Sequence, residues 1–327
     1  MTMETKPHLQ LKYKPVMRSI RNKISLLLLA GALLALEGCL VGGKMDKPVV
    51  SQTPEQYPQF KGNVDTLTVL RWFEIYQDTV LQRLIRTTID SNRNLMIAAA
   101  RVEQSREIAG FIKANLYPQL GYSAQAGGGQ AGTEAQKVAG GLDKGVFKGF
   151  ATLNWEIDLW GRIRHANIAF YNEYLADIDN RNALLVSLVA EVANQYFVLC
   201  DLDNRLAIAR RTLAARQEST RIIAERFAKG YVAEVDKLQA EQQEALAAVT
   251  IPAFERQIIT IENSMRILMG MGPGRIPRGQ TLYQQQLSPE IPAGLPSQLL
   301  LRRPDIREAE RRLEAAFNRI GVAKASL

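Results

Sequence analysis

Histidine is almost missing from this chain. Among 327 residues only His8 and His165 occur, which excludes a His-rich metal centre and argues against a Ser-His-Asp triad. Cysteine is nearly as scarce, with Cys39 and Cys200, so at most one intramolecular disulfide is possible. Cys200, beside Leu199 in a helical run, reads instead as a small core residue. No glycine-rich phosphate loop followed by Lys-Ser/Thr is present, and no dinucleotide fingerprint; Gly127-Gly128-Gly129 reads as a plain loop. Glu156 and Asp158, two residues apart on an expected strand, read as strand-face or helix-entry groups rather than an acid–base pair. No enzyme and no cofactor are expected. The formal charge is +8, but six of the 41 basic residues and only two of the 33 acidic ones lie in residues 1–38. The remainder is close to balance and has no basic cluster interleaved with aromatics, so nucleic acid is not expected as a partner.

A further absence is more telling. From Arg162 to Lys229 there is neither proline nor glycine. An unbroken helix over that span would be roughly 100 Å long. Ile178, Leu185, Val192, Leu199, Leu206 and Leu213 recur every seven residues within it, the repeat of a supercoiled seam. Immediately before it, Phe147, Gly149, Ala151, Leu153, Trp155 and Ile157 alternate with Lys148, Phe150, Thr152, Asn154, Glu156 and Asp158. That is the period of a two-faced strand. Leu120, Tyr122, Ala124 and Ala126 alternate with Gln119, Gly121, Ser123 and Gln125 in the same way. With the Gly-rich loop Gly127–Gly141 between them, the two segments predict a hairpin with arms of about ten residues, the length of a transmembrane β-strand. A soluble hairpin packed on the helices is the alternative, although two very long helices offer little core for it.

The N-terminus has its own order. Residues 1–23 are basic, and Ile24–Leu36 form an apolar run too short for a comfortable membrane span and suited to a signal peptide. Leu36-Glu37-Gly38-Cys39 then resembles a lipoprotein signal box, with Glu37 as a departure, and implies lipid attachment at Cys39. Gly42–Gly62 reads as an extended tether. Trp72 and Phe73 open the folded part, and a helix is expected from Leu81 to Tyr117-Pro118. Its seam is Leu95, Ala98, Val102, Ser105, Ala109, Ile112 and Leu116.

Beyond the long helix, Gly230 is placed to end it, and a returning helix follows with Val235, Leu238, Ala245, Leu246 and Val249. Ala233 cannot cap that helix, Asp236 carries a suitable charge in its first turn, and Pro252 is expected to kink or interrupt it. Gly270–Pro277 ends it, and irregular linking structure is expected over residues 271–301. Shifted by 211 residues, Asn94–Leu116 matches Asp305–Leu327 without a gap. Ala98 falls on Ala309, Gly110 on Gly321 and Leu116 on Leu327, and the seam becomes Ile306, Ala309, Leu313, Ala316, Ile320, Ala323 and Leu327. A second structural repeat is therefore expected to begin here.

Three stretches carry a family resemblance. Asn154–Arg162, NWEIDLWGR, resembles the strand-to-helix signature of the outer membrane factors, the TolC-like exit ducts of bacterial efflux pumps, of the lipoprotein NodT/OprM-like type. Arg226–Gly230 through Asp236 and Gln239-Ala240-Glu241 resembles their helix-hairpin turn. Leu295–Leu300 with Arg302-Arg303-Pro304-Asp305-Ile306 resembles their inter-repeat segment. The resemblance implies a mainly α fold with a transmembrane β-hairpin, in which long antiparallel coiled-coil helices feed a trimeric β-barrel. It divides the chain into a signal peptide (1–38), a lipid-anchored extended segment (39–75), a first repeat (76–294) and an incomplete second repeat (295–327). The first repeat holds a hairpin at about 118–157, a long helix over 158–229 and a return helix over 234–270.

The implied function is the outer-membrane channel of a tripartite efflux system, a passive conduit for small molecules. The implied location is the outer membrane, lipid-anchored, with the helices in the periplasm. The implied partners are two further copies, a periplasmic adaptor, an inner-membrane pump and outer-membrane lipid. Gly230, Tyr231, Val232, Ala233, Glu234 and Asp236 form the implied adaptor-facing tip. Phe147, Leu153, Trp155 and Ile157 are expected to face lipid, and Thr152, Asn154 and Glu156 the lumen. A type I protein-secretion duct and a structural periplasmic coiled-coil lipoprotein are the other readings. Because family protomers give four strands and this sequence two, the sequence as it stands is expected to be truncated and to form no working duct alone.

Overall fold

The computed structural model describes residues 71–127, 146–285 and 302–327, together with residues 45 and 300. The signal segment, Cys39, the tether, most of the Gly-rich loop and residues 295–299 lie outside the described residues. The chain divides into two compact units. One holds Met1–Met45, Phe111–Ala169 and Ala316–Leu327; the other holds Asp46–Gly110 and Phe170–Ala315.

The second unit starts with α1 (Trp72–Ile75), which is helical where an extended segment was expected, and α2 (Thr79–Ser91). Asp78 caps α2 by accepting from Val80 N at 2.8 Å and Leu81 N at 3.4 Å. The expected single helix from Leu81 to Tyr117 is two. Asn92 is extended and separates α2 from α3 (Arg93–Ala114). Its Oδ1 accepts from Leu95 N at 3.0 Å, and its Nδ2 donates to Leu268 O at 2.8 Å. A side chain that caps one helix and closes another explains the break, because Asn competes well for backbone partners outside helices.

The long helix α4 runs Arg162–Ala228, starting four residues later than expected, and α5 runs Glu234–Leu268. The core of this unit joins Leu81, Leu84 and Ile85 of α2 to Val192, Tyr196, Leu199 and Cys200 of α4 and to Ile258 and Met265 of α5. Burial of each large apolar side chain contributes about 1.5–3 kcal/mol. The heptad residues Val192, Leu199 and Leu206 are buried, and Ile178, Leu185 and Leu213 are half-buried, as the seven-residue period requires. Burial pushes the Cys200 thiol up to about 11, with Asp203 and Asp78 adding to it, so it is an inert core residue.

Pro252 does not interrupt α5, which is helical on both sides of it. One missing N–H is tolerable in a 35-residue helix held by packing along its length. Both α4 and α5 end on a left-handed glycine, Gly230 at φ 77° and Gly270 at φ 64°. In each, the following N–H reaches back to the final turn, Tyr231 N to Arg226 O and Met271 N to Arg266 O, both 2.9 Å. These are Schellman closures. A 3₁₀ turn, Leu282–Gln284, follows within the linking segment.

In the first unit, β1 (Gln119–Gly127) and β2 (Val146–Asn154) form one antiparallel pair. The last helix, α6 (Pro304–Ala325), shares its beginning with the other unit and its end with this one. α3 and α6 each have 22 residues, and their limits are offset by 211, the repeat read from the sequence. The α3 seam is protected as expected: Leu95, Ala98 and Ala109 are buried, and Val102, Ser105, Ile112 and Leu116 half-buried. The α6 seam is not. Leu313, Ile320 and Leu327 are exposed, while Ala315, Gly321 and Ala325 are buried. The cause is a different set of contacts: Asn318 and Gly321 meet His165, and Arg307 meets Asp179.

Candidate functional site

The hairpin register sorts side chains by chemistry. Leu120 pairs with Leu153, Tyr122 with Ala151, and Ala124 with Gly149. Directly paired residues share a face, so one face is apolar along its length. Gly121 opposite Thr152 and Gln125 opposite Lys148 lie on the other, where Phe150 is the exception. Among the described residues nothing covers the apolar face: Leu120 is 76%, Tyr122 92%, Phe147 84% and Leu153 70% exposed. Two of the expected lipid-facing strand residues are not on the strand. β2 ends at Asn154, and Trp155 and Ile157 follow it. Trp155 instead donates its indole N–H to Leu116 O at 3.3 Å.

Glu156 and Asp158 are off the strand as well, and serve the helix entry. Asp158 accepts from Ile163 N at 3.1 Å and Arg164 N at 2.8 Å, satisfying two of the free donors at the α4 N-terminus. Burial would raise its carboxyl, but these backbone bonds and the Arg164 guanidinium hold it below the ordinary range. Glu156 takes a two-pronged pair from Arg162, at 3.0 and 2.6 Å. Gly161, at φ 82°, makes the turn between them. The side chains that redirect chain from strand to helix are thus those of the motif itself.

At the other end of α4, Gly230, Tyr231, Ala233, Glu234 and Asp236 are exposed and Val232 half-buried. Asp236 accepts from the Ala233 N–H at 3.1 Å, a cap supplied from inside the helix in place of the one Ala233 cannot give. Tyr231 (76% exposed), Val235 and Leu238 leave apolar surface around this turn.

Sequence reasoning missed the buried polar centre of the second unit. Asp78 is 3% exposed. It accepts from Tyr196 Oη at 2.7 Å, Gln280 N at 3.1 Å and Gln285 Nε2 at 2.9 Å. Gly279 N donates to Tyr196 Oη at 2.9 Å, and a Cβ at Gly279 would collide with the Asp78 carboxylate. Arg278 bonds Asp203 at 2.8 Å and also Glu262. The segment after α5 is thereby tied to α2 and α4. An Asp before Thr79-Val80-Leu81 was a legible cap; its partners 118 and 207 residues away were not.

The profile of the outer membrane efflux protein family matches residues 84–271. The toluene efflux pump outer membrane protein TtgC of Pseudomonas putida is 31% identical over 312 residues, covering 92% of this chain and 64% of its own length. The cation efflux system protein CusC of Escherichia coli is 30% identical, covering 90% of this chain and 63% of its own. The chain thus spans less than two thirds of these relatives. Among solved structures, the outer-membrane channel OprN superposes with a TM-score of 0.73 at 27% identity, over 88% of this chain and 65% of that one. The open state of the Neisseria gonorrhoeae MtrE outer membrane channel gives 0.70 at 26% identity, over 88% and 64%.

Proposed function

This chain belongs to the outer membrane efflux protein family, and from that premise we propose that it serves as the outer-membrane conduit of a tripartite efflux system. Its two strands contribute to a barrel, its long helices to a periplasmic tunnel, and three copies form the assembly. Lipid on Cys39 anchors it. The adaptor meets the turn at Gly230–Asp236, and an inner-membrane pump supplies the energy. Relatives are named for toluene and for cation efflux; in this reading the cargo is chosen by the pump and adaptor, and the duct is passive.

The observation that carries the reading is the hairpin. A strand pair whose register gathers Leu120, Tyr122, Leu153 and Phe147 on one uncovered apolar face has the pattern of a barrel wall with lipid outside and water inside. The 67-residue helix that follows it supplies the length of a periplasmic tunnel. Single cysteines at Leu153 and Thr152, carrying a fluorophore in outer-membrane vesicles, test it. Quenching by a bilayer-resident spin label should be strong at 153 and weak at 152. Equal or reversed quenching would overturn the membrane assignment. Labelling with radioactive palmitate should be present in the wild type and absent in Cys39→Ala; equal label in both would remove the anchor.

A further inference from the structure

His165 is the one histidine outside the N-terminal segment. It lies in the first turn of α4 and is buried, 2% exposed. Its Nδ1 stands 3.0 Å from Asn318 Oδ1 of α6. Its Nε2 is buried and has no hydrogen-bond partner among the described residues. Gly321, one turn beyond Asn318, lies against the ring: a β-carbon there would approach Cγ and Nδ1 to 2.8 Å. Glycine is a poor helix former, so its place inside α6 is explained by the ring it admits. All three residues belong to one compact unit.

A neutral ring that donates Nδ1–H to Asn318 leaves Nε2 as a bare acceptor. A second proton, on Nε2, would need an acceptor, and among the described residues none is bonded there. On α4 the nearby cations Arg162 and Arg164 are engaged by Glu156 and Asp158. On α6, Glu314 faces Arg311 at 3.4 Å, and the side chains of Arg319 and Lys324 lie at the surface. Among the described residues no carboxylate is bonded to the imidazole. We propose that His165 is a proton-sensitive joint: protonation of its ring loosens the C-terminal half of α6 from the first turn of α4. Histidine is the side chain whose ordinary titration falls between pH 5 and 8. A buried cation with an unpaired N–H is relieved only by admitting water, which means parting the helices. The joint would respond to acid at the junction of strand and helix, independently of any cargo.

Hydrogen–deuterium exchange of the full chain in detergent, followed in peptides covering 316–325 and corrected for intrinsic rates, tests this. Protection should fall at least tenfold between pH 7.5 and pH 5.0 in the wild type. In His165→Gln, which keeps an amide able to bond Asn318, the fall should vanish. A wild type without the fall, or the same fall in His165→Gln, would overturn the proposal. Asn318→Asp gives the charged ring a carboxylate, so its protection should hold or rise on acidification. A fall equal to that of the wild type would likewise overturn it.

Discussion

The Tyr196 hydroxyl donates a 2.7 Å hydrogen bond to the Asp78 carboxylate across 118 residues of chain. Burial acts to raise the Asp78 carboxyl, but the bonds from Tyr196, Gln285, Gln280 and Val80 outweigh it and hold it below the ordinary range. The Tyr196 phenol is pushed up by burial and by the same bond. Asp78→Ala strands the Tyr196, Gln280 and Gln285 donors and should cost about 2–4 kcal/mol, read as a lower melting temperature of the full chain. Because the folded carboxyl titrates below the unfolded one, its contribution is present above about pH 4 and lost as pH falls through the folded value. The stability gap between wild type and Asp78→Asn should therefore narrow in acid. A gap independent of pH would mean the carboxylate charge contributes nothing.

Leu153→Arg should impair membrane insertion more than Thr152→Arg. The two residues are neighbours on β2 with opposite faces. A basic residue on a lipid face near the midplane costs roughly 2–4 kcal/mol, whereas the lumen face is wet. Outer-membrane fractions of the two variants decide it, and the reverse order would turn the strand inside out.

The repetitive parts of the fold were legible in the sequence, and the singular parts were not. The seam Leu95–Leu116 and the heptads Ile178–Leu213 were legible because a helix repeats its face at a fixed period. The hairpin was legible because a strand does so every second residue. Asn92 broke a helix that its periodicity continued, since its side chain answers to Leu268 O far away in sequence. The α6 seam transferred in position but not in burial. Its mates are His165 and Asp179, and the sequence repeat does not encode the partner. Trp155 and Ile157 kept the strand's alternation, yet the hydrogen-bonded ladder stops at the Gln119–Asn154 pair, which ends both strands. Alternation alone does not mark where pairing ends.

Gly230→Ala should destabilise the α4–α5 turn by about 1–2 kcal/mol. A β-carbon at that position meets nothing within 4 Å, so the cost is that of φ 77° alone. Gly272→Ala is the control, being equally open with no positive φ. Exchange rates of the amides around Tyr231 should rise in the first variant and not in the second. Equal behaviour would remove the backbone explanation.

The adaptor is expected at the same turn. Tyr231 and Glu234 are exposed beside a cap that Asp236 holds from within, and the Tyr231 N–H is bonded back to Arg226 O. A rigid turn with exposed Tyr231, Val235 and Leu238 offers an aromatic anchor at low entropic cost. Single cysteines at Tyr231 and Glu234 should crosslink to the periplasmic adaptor in cells. A cysteine at Tyr122, on the apolar face of the hairpin, should not. Tyr231→Ala should weaken adaptor capture about tenfold or more, the loss of one aromatic anchor, while leaving the amount of protein in the outer membrane unchanged. Equal crosslinking at Tyr231 and Tyr122 would move the contact away from the turn. Unchanged capture by Tyr231→Ala would leave the turn as a helix closure and nothing more.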